Sequence, residues 1–395
     1  MLILVINVGS TSLKFKLFRM PKEEVLVSGR VEGIGQPQSS FAYGSVNGHR
    51  AEGVLQAAHY ENGIAHLTAY LLSKDCGQIQ RLEELSAVGF KTVLAKNLMR
   101  AAVLDADVIS AMEEMSPIAP THNPPYIDAI RAFQTQLPST PMIGLFEPAF
   151  HRSIPEYAWR YALPYEWTEQ YGIRRYGFHG ASHRYAAERA GQMLGREDLR
   201  LITCHLGGSS SVNATRGLTS LDNSFGLSPQ SGLIHSGRPG DVDVTIPLWM
   251  IETLGMSVGE VRTVLSKKSG LVALSGLCGE MREIAEASEQ GNSRATLAIE
   301  AFVYQVRRAI GAASVVLGGV DAIVFTGGIG ERSADIRKRC CDNLQFLGLE
   351  LDHARNTTAV PDADIAAQES NGRVLVIEAN EELIVARACV ETLAN

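Results

Sequence analysis

Runs and alternations of apolar residues divide the chain into short strands and amphipathic helices. Leu2 to Ile6 is continuously apolar, as in a strand covered on both faces, and Leu13-Lys14-Phe15-Lys16-Leu17-Phe18 alternates as a half-covered strand does. The small polar stretch between them predicts a hairpin tip. Glu24 to Ile34 continues as a third strand, and Gly35 to Gly48 reads as loop or irregular hairpin. Helical patterns cover Ile64 to Leu72, Ile79 to Leu85, Ala101 to Met115 and Pro125 to Leu137, the last opened by His122-Asn123-Pro124-Pro125, where proline suits a first turn. Short strands are expected at Ala87 to Leu94 and at Pro141 to Phe146, which delivers Glu147 at its carboxyl end, where open α/β sheets place their ligands. In the second half, strands are predicted at Leu199 to Cys204, Val320 to Phe325 and Val374 to Ile377. Helices are predicted up to Leu194, over Ser293 to Leu317, from Ser333, and over Leu383 to Leu393.

The opening pattern occurs twice. Asn7-Val8-Gly9-Ser10 and His205-Leu206-Gly207-Gly208 each follow an apolar strand, lead into hydroxyl residues and precede a second strand. A repeat at about half the chain length predicts two similarly folded α/β domains facing one another across a cleft. The expected boundaries are 1–148 and 149–379, with residues 380–395 returning to complete the first domain. Gly9, Ser10, Thr11 and Ser12 read either as a phosphate-gripping tip or as an ordinary polar turn. A third glycine-rich turn, Thr326-Gly327-Gly328-Ile329-Gly330-Glu331, joins a strand to a helix start, a natural anion seat.

Composition narrows the partners. A hydrophobic content of 45% with 20% charged residues over 395 positions is globular and suits two or three domains. The net charge of −7 and the lack of any Lys/Arg-rich block exclude nucleic acid and anionic membranes as main partners. The six cysteines show no zinc or CxxC spacing, so reduced thiols in a cytoplasm are expected. The chain enters a strand at once without the pattern of a signal peptide, and the long apolar run from Ala309 to Phe325 is broken by glycines and Asp321. No membrane span is expected.

Chemistry concentrates in Arg174-Arg175-Tyr176-Gly177-Phe178-His179-Gly180-Ala181-Ser182-His183-Arg184-Tyr185. Such a run makes a poor core and a good site, or else a solvated loop that caps the next helix through Ser182. The acidic stretch from Glu378 to Glu382 reads either as support for a helix dipole or as a metal-holding group.

Taken together, the motifs resemble the acetate kinase family, part of the duplicated-domain group that includes sugar kinases, Hsp70 and actin. Asn7-Val8-Gly9-Ser10-Thr11-Ser12-Leu13-Lys14 and Arg175-Tyr176-Gly177-Phe178-His179-Gly180-Ala181-Ser182-His183 are similar to its two signatures. His122-Asn123-Pro124, His205-Leu206-Gly207, Thr326 to Glu331, Asn380-Glu381-Glu382 and the frame from Asp222 to Asp243 also match. The resemblance implies two ribonuclease H-like domains and transfer of the γ-phosphoryl of ATP to a short carboxylic acid, with Mg²⁺ or Mn²⁺ as cofactor in a cytoplasmic homodimer. It implies Glu147, His179 and Arg238 as catalytic residues. Lys91, Asn7, Ser10, Ser12, Lys14, His122 and Phe178 would face the substrate. Lys14, His205, Leu206, Gly207, Gly208, Ser209, Glu280, Met281, Arg282, Gly327, Gly328, Ile329, Gly330 and Glu331 would hold the nucleotide, and Asn7 and Glu381 the metal.

The departures fall mainly on the acceptor side. Where the family has a substrate-side arginine, this chain has Lys91 in Phe90-Lys91-Thr92-Val93-Leu94-Ala95-Lys96, so a bidentate fork gives way to a point charge. Glu147 in Phe146-Glu147-Pro148-Ala149-Phe150-His151 stands where the family has an aspartate, and one methylene moves the charge by more than ~1 Å. Glu280, Gly208, Ser209, Gln230, Ser231, His235 and Ser236 are smaller departures. The acceptor is therefore expected to be acetate or another, larger acid, with pyrophosphate as an alternative donor. A nucleotide-binding regulator without transfer is the reading from outside enzymology.

Overall fold

The computed structural model describes residues 1–394, which form two compact units. One comprises Met1–Ala149 and the stretch from Asn380 on, the other Phe150–Ala379.

The first unit is built on one mixed sheet. Its strands are β1 (Leu2–Gly9), β2 (Ser12–Arg19), β3 (Glu24–Glu32), β4 (Ser39–Ser45), β5 (Arg50–Leu55), β6 (Leu85–Thr92), β7 (Ala101–Val103) and β8 (Met142–Phe146), in the order β5-β4-β3-β2-β1-β6-β8-β7. β1 pairs antiparallel with β2 and parallel with β6, and its Ile3 to Ile6 run is fully buried, as continuous apolar character requires. Gly9 opposes Ser12, so Ser10 and Thr11 alone make the turn. A Cβ on Gly9 would stand 2.5 Å from Ser12 Oγ, so only glycine closes this tip without displacing the serine. The closing helix Glu381–Ala394 packs on the same sheet at Gly89, where a Cβ would meet Cys389 Sγ at 2.7 Å and Val385 Cγ1 at 2.9 Å.

The second unit repeats this plan. Its strands β9 (Arg200–His205), β10 (Ser211–Arg216), β11 (Thr219–Asn223), β12 (Ala322–Thr326), β13 (Ala363–Asp364) and β14 (Arg373–Val376) run in the order β11-β10-β9-β12-β14-β13. An antiparallel three-stranded meander continues into two parallel strands in both units: β3-β2-β1-β6-β8 and β11-β10-β9-β12-β14. The duplication therefore extends from the hairpins to the whole sheet, as in the ribonuclease H-like domains of actin and Hsp70. The long helix Ser293–Leu317 starts at Asn292, whose side chain accepts from Arg294 N and Ala295 N, and ends at Gly318 with φ +67°. Its Phe302, Val306 and Ile310 pack into the core with Ile202 and Phe325.

Two sequence-based assignments change and one is narrowed. Of the loop and hairpin readings of Gly35 to Gly48, the hairpin holds, because Ser39–Ser45 and Arg50–Leu55 pair antiparallel, with Arg50–Leu55 at the sheet edge, and send few residues, chiefly Tyr43, into the core. Their apolar signal is correspondingly thin. Ile79 to Leu85 is not helical: Glu84 Oε1 accepts from Gln80 N and Arg81 N, and after one 3₁₀ turn Leu85 begins β6 beside Leu2. Ala101 to Met115 splits, since Ala101–Val103 pairs with β8 and Asp105 caps a shorter helix, Ala106–Glu114.

Candidate active site

In the first unit, three charges converge beside the hairpin. Lys91 near the end of β6 places Nζ 3.0 Å from Glu147 Oε1, just beyond β8, and 2.8 Å from Glu381 Oε2 at the start of the closing helix. The side chains are only 15%, 7% and 13% exposed. Burial works against the Lys91 charge, but Glu147, Glu381 and the Tyr126 hydroxyl outweigh it and hold the ammonium above its usual range. Tyr126 connects this cluster to the hairpin, because its hydroxyl accepts from Val8 N and donates to Asn7 Oδ1, each at 3.1 Å. Burial raises the Tyr126 pKa, against the pull of Lys91, so the hydroxyl stays a donor. Tyr126 lies two residues beyond Pro124 and was not singled out from sequence. A tyrosine on the first turn of an apolar helix carries no mark of its own.

Asn7 lies opposite Lys14 in the β1–β2 register, and Lys14 and Ser10 are exposed. His122 precedes helix Asn123–Gln136, its Nδ1 2.9 Å from Thr121 Oγ1. The oxygens present fit a divalent metal. The Glu381 carboxylate is nearly buried, Asn7 Oδ1 is oriented by Tyr126, and the adjacent Asn380 Oδ1 is buried without a hydrogen-bond partner. Among the described residues no group of three or more His, Cys, Asp or Glu could hold a metal. A cation at Glu381 would thus draw on amide oxygens, water and phosphate, as Mg²⁺ commonly does.

In the second unit, histidines and hydroxyls form a buried network. His179 has φ +57° at the start of helix Gly180–Leu194, a backbone state rare outside glycine and frequent at functional positions. Its Nδ1 is 2.8 Å from Ser211 Oγ, which is also 2.8 Å from His183 Nε2, and His183 Nδ1 is 2.6 Å from Thr203 Oγ1. The His205 ring lies 4.1 Å from that of His179, and its Nδ1 is 2.7 Å from Ser182 Oγ. His183 and His151 are fully buried. Burial drives both well below the usual histidine range, His151 to about 4, and for His183 the neighbouring His151 and His205 add to the effect. Sequence marked His183 only as part of a motif and overlooked Ser211, because a serine shared by two histidines shows itself only once β10 is set beside the helix.

The glycine-rich turns meet backbone to backbone. Leu206 O accepts from Ile329 N and Gly330 N, and Leu206 N donates to Thr326 O. A Cβ on Gly327 would stand 2.8 Å from Leu206 O, and Gly327 N donates to Glu331 Oε1 at 2.9 Å. Gly207 N donates to Ser210 Oγ, and Gly208 O accepts from Ser236 N. Beneath this seat lies Arg337, 2% exposed, whose Nη1 donates to the carbonyls of Gly330 and Glu331. Arg238 donates to Pro229 O, and burial lowers its pKa to about 10, still cationic at neutral pH.

Exposure differs among the other residues expected at the site. Leu206 and Met281 have buried side chains, so Leu206 contributes through its backbone. Phe178 is buried with its ring edge-on to Phe225 at 5.4 Å, and its carbonyl lies 2.9 Å from His151 Nε2. Arg282 is on the surface near Glu286, Glu280 precedes helix Met281–Glu289, and Ser209 is half-buried in the β9–β10 loop.

Duplicated mixed sheets, each with a polar hairpin, and a glycine-rich turn at a helix start define the duplicated-domain class that includes actin and Hsp70. The chain belongs to the Acetokinase family, whose model matches residues 2–387. It is 41% identical to the acetate kinase of Halothermothrix orenii over 98% of both chains. It is 40% identical to that of Methanosarcina acetivorans over 98% of this chain and 96% of the relative. Among solved structures, it superposes on the Porphyromonas gingivalis acetate kinase with a TM-score of 0.89 at 35% identity, covering 99% of both chains. For a propionate kinase from Francisella tularensis the TM-score is 0.91 at 34% identity, covering 98% of both. Acetate kinases use ATP or ADP with a divalent metal. No helix among the described residues is long and apolar enough to cross a membrane.

Proposed function

We propose that the chain moves the γ-phosphoryl of ATP reversibly onto the carboxylate of acetate or a similar short acid, giving an acyl phosphate and ADP. The observation that carries this reading is the 41% identity to an acetate kinase over 98% of both chains. The chemistry of the site agrees with it. An ionised carboxylate is already the nucleophile, so no base need remove a proton. One oxygen–phosphorus bond forms as the bond from the γ-phosphorus to the bridging oxygen breaks, and the task left to the protein is alignment and neutralisation of charge.

On this reading, His179, aimed by Ser211, and Arg238 donate to the moving phosphoryl, with Asn7, Ser10, Ser12 and Lys14 at the hairpin. Lys91, Phe178 and His122 belong to the acceptor side. His205 to Ser209, Glu280 to Arg282 and Gly327 to Glu331 hold the nucleotide. Glu147 acts by holding Lys91 rather than as a base. Glu381 and Asn7 would hold Mg²⁺, which when bound offsets phosphate charge.

A second copy of the chain is the partner expected. Leu248, Trp249 and Leu254, on and just after helix Thr245–Glu252, are about half exposed, a surface suited to a homodimer. The cysteines are free thiols, five of them buried, in keeping with a cytoplasmic protein.

Hydroxamate trapping of the acyl phosphate from acetate, propionate, butyrate and hydroxy acids tests the acceptor. His179→Ala should lose turnover far more than ATP affinity, and an unchanged turnover would remove His179 from the mechanism. A second reading, an acceptor larger than acetate, is favoured by Lys91 and Glu147 standing where the family has arginine and aspartate, and efficient turnover of acetate would exclude it.

A further inference from the structure

The Lys91 ammonium and a divalent cation lay claim to the same carboxylate. Lys91 Nζ is 2.8 Å from Glu381 Oε2 and 3.0 Å from Glu147 Oε1, and all three groups are largely buried. Two buried carboxylates without a cation would be costly, and Lys91 supplies one. A metal at Glu381 would supply another, and a divalent ion sharing one carboxylate with an ammonium in a poorly solvated place is strongly repelled. We propose that Lys91 is a resident counter-cation which yields Glu381 when a divalent metal is held there, keeps Glu147, and is thereby freed to bind the acceptor carboxylate.

The residue type suits such an exchange. A lysine has a flexible four-carbon stem and an unforked charge, so it can leave one partner while keeping the other. The Tyr126 hydroxyl, which lies within the field of Lys91, Glu147 and Glu381, holds Asn7 in place while Lys91 shifts. Metal and acceptor are then linked through Lys91. Because linkage is reciprocal, each tightens the binding of the other by the same factor.

The inference rests on the reading of Glu381 as a metal-holding residue, and the test separates the two. Mn²⁺ binding to the full-length protein is followed by electron paramagnetic resonance without nucleotide, for wild type, Lys91→Met and Glu381→Gln. Lys91→Met should bind Mn²⁺ about tenfold more tightly than wild type, and Glu381→Gln about tenfold more weakly. In wild type, Mn²⁺ should tighten acetate binding several-fold in a calorimetric titration, and Lys91→Met should abolish that gain. If Lys91→Met does not fold, Lys91→Met/Glu147→Gln is compared with Glu147→Gln, and the tightening should persist. Loss of affinity in Glu381→Gln without any gain on removing Lys91 overturns the exchange and leaves the metal reading standing. Unchanged affinity in Glu381→Gln overturns both.

Discussion

Replacing Arg337 by lysine tests whether the proposed nucleotide seat is held from below. The guanidinium makes four hydrogen bonds: Nη1 to Gly330 O at 2.9 Å and Glu331 O at 2.8 Å, Nε to Asn356 Oδ1 and Nη2 to Asn356 O, both at 2.8 Å. Two of these acceptors are carbonyls at the end of helix Gly327–Arg332, where no further turn exists to satisfy them. A lysine keeps the charge but places a single nitrogen, which can serve about two of the four acceptors. Losing two charge-assisted bonds in a buried place should cost about 2–4 kcal/mol, lowering the melting temperature of the second unit by roughly 5–15 °C. If Gly330 and Glu331 hold the nucleotide as proposed, KM for ATP should rise by about 5–10-fold while KM for the acceptor stays level. Calorimetry and initial-rate kinetics on the same preparation supply both numbers. An unchanged melting temperature would refute the hydrogen-bond reasoning. A lowered one with unchanged KM for ATP would show that Arg337 supports the fold without shaping the seat.

Acid should destabilise the second unit in a calculable way. An unfolded histidine takes up a proton near pH 6.5, whereas burial keeps folded His151 neutral to about 4, holds His235 beside Arg238 neutral to about 3, and depresses His183 as well. Below pH 6.5 the unfolded chain therefore binds more protons, and stability falls by about 1.4 kcal/mol per pH unit for each histidine. Urea titrations between pH 7.5 and 4.5 should show this slope, and a flat profile would contradict it. Ser211→Ala removes the hydroxyl shared by His179 and His183, and should lower kcat by about tenfold with little change in KM for ATP, measured by initial rates. Tyr126→Phe leaves the packing but frees Asn7 Oδ1 and Val8 N, and kcat should fall by about tenfold, while an unaltered rate would detach Tyr126 from the hairpin's work.

What sequence made legible was whatever is carried by backbone and local pattern. The β1–β2 and β9–β10 hairpins, the Ser293–Leu317 helix and the Gly327 turn each announce themselves within a few residues, through apolar runs, helical spacing of apolar positions or glycines that a close approach requires. The strands β4 and β5 were legible only as a loop or irregular hairpin, because β5 at the edge is largely exposed and β4 buries little beyond Ser39 and Tyr43. Ala101–Val103 was absorbed into a helix because three residues of strand carry no period of their own, and only pairing with β8 fixes their state.

Side-chain chemistry assembled across long separations was legible as a set of residue types and not as an arrangement. Lys91 and Glu381 lie 290 positions apart, and nothing local to either reveals that they touch. Seen singly, a lysine in place of a guanidinium fork and a glutamate in place of an aspartate look like two losses on the acceptor side. Seen together, they are complementary: the ammonium lacks the fork's second parallel donor, and the longer carboxylate of Glu147 reaches a point charge that also serves Glu381. The two departures then act as one unit whose net charge is set by all three groups. That makes single substitutions a poor guide to the role of either residue, since removing one partner leaves an uncompensated buried charge. A double-mutant cycle across Lys91 and Glu147, read in acceptor KM, should therefore give strong non-additivity. Simple additivity would mean that each residue meets the substrate on its own.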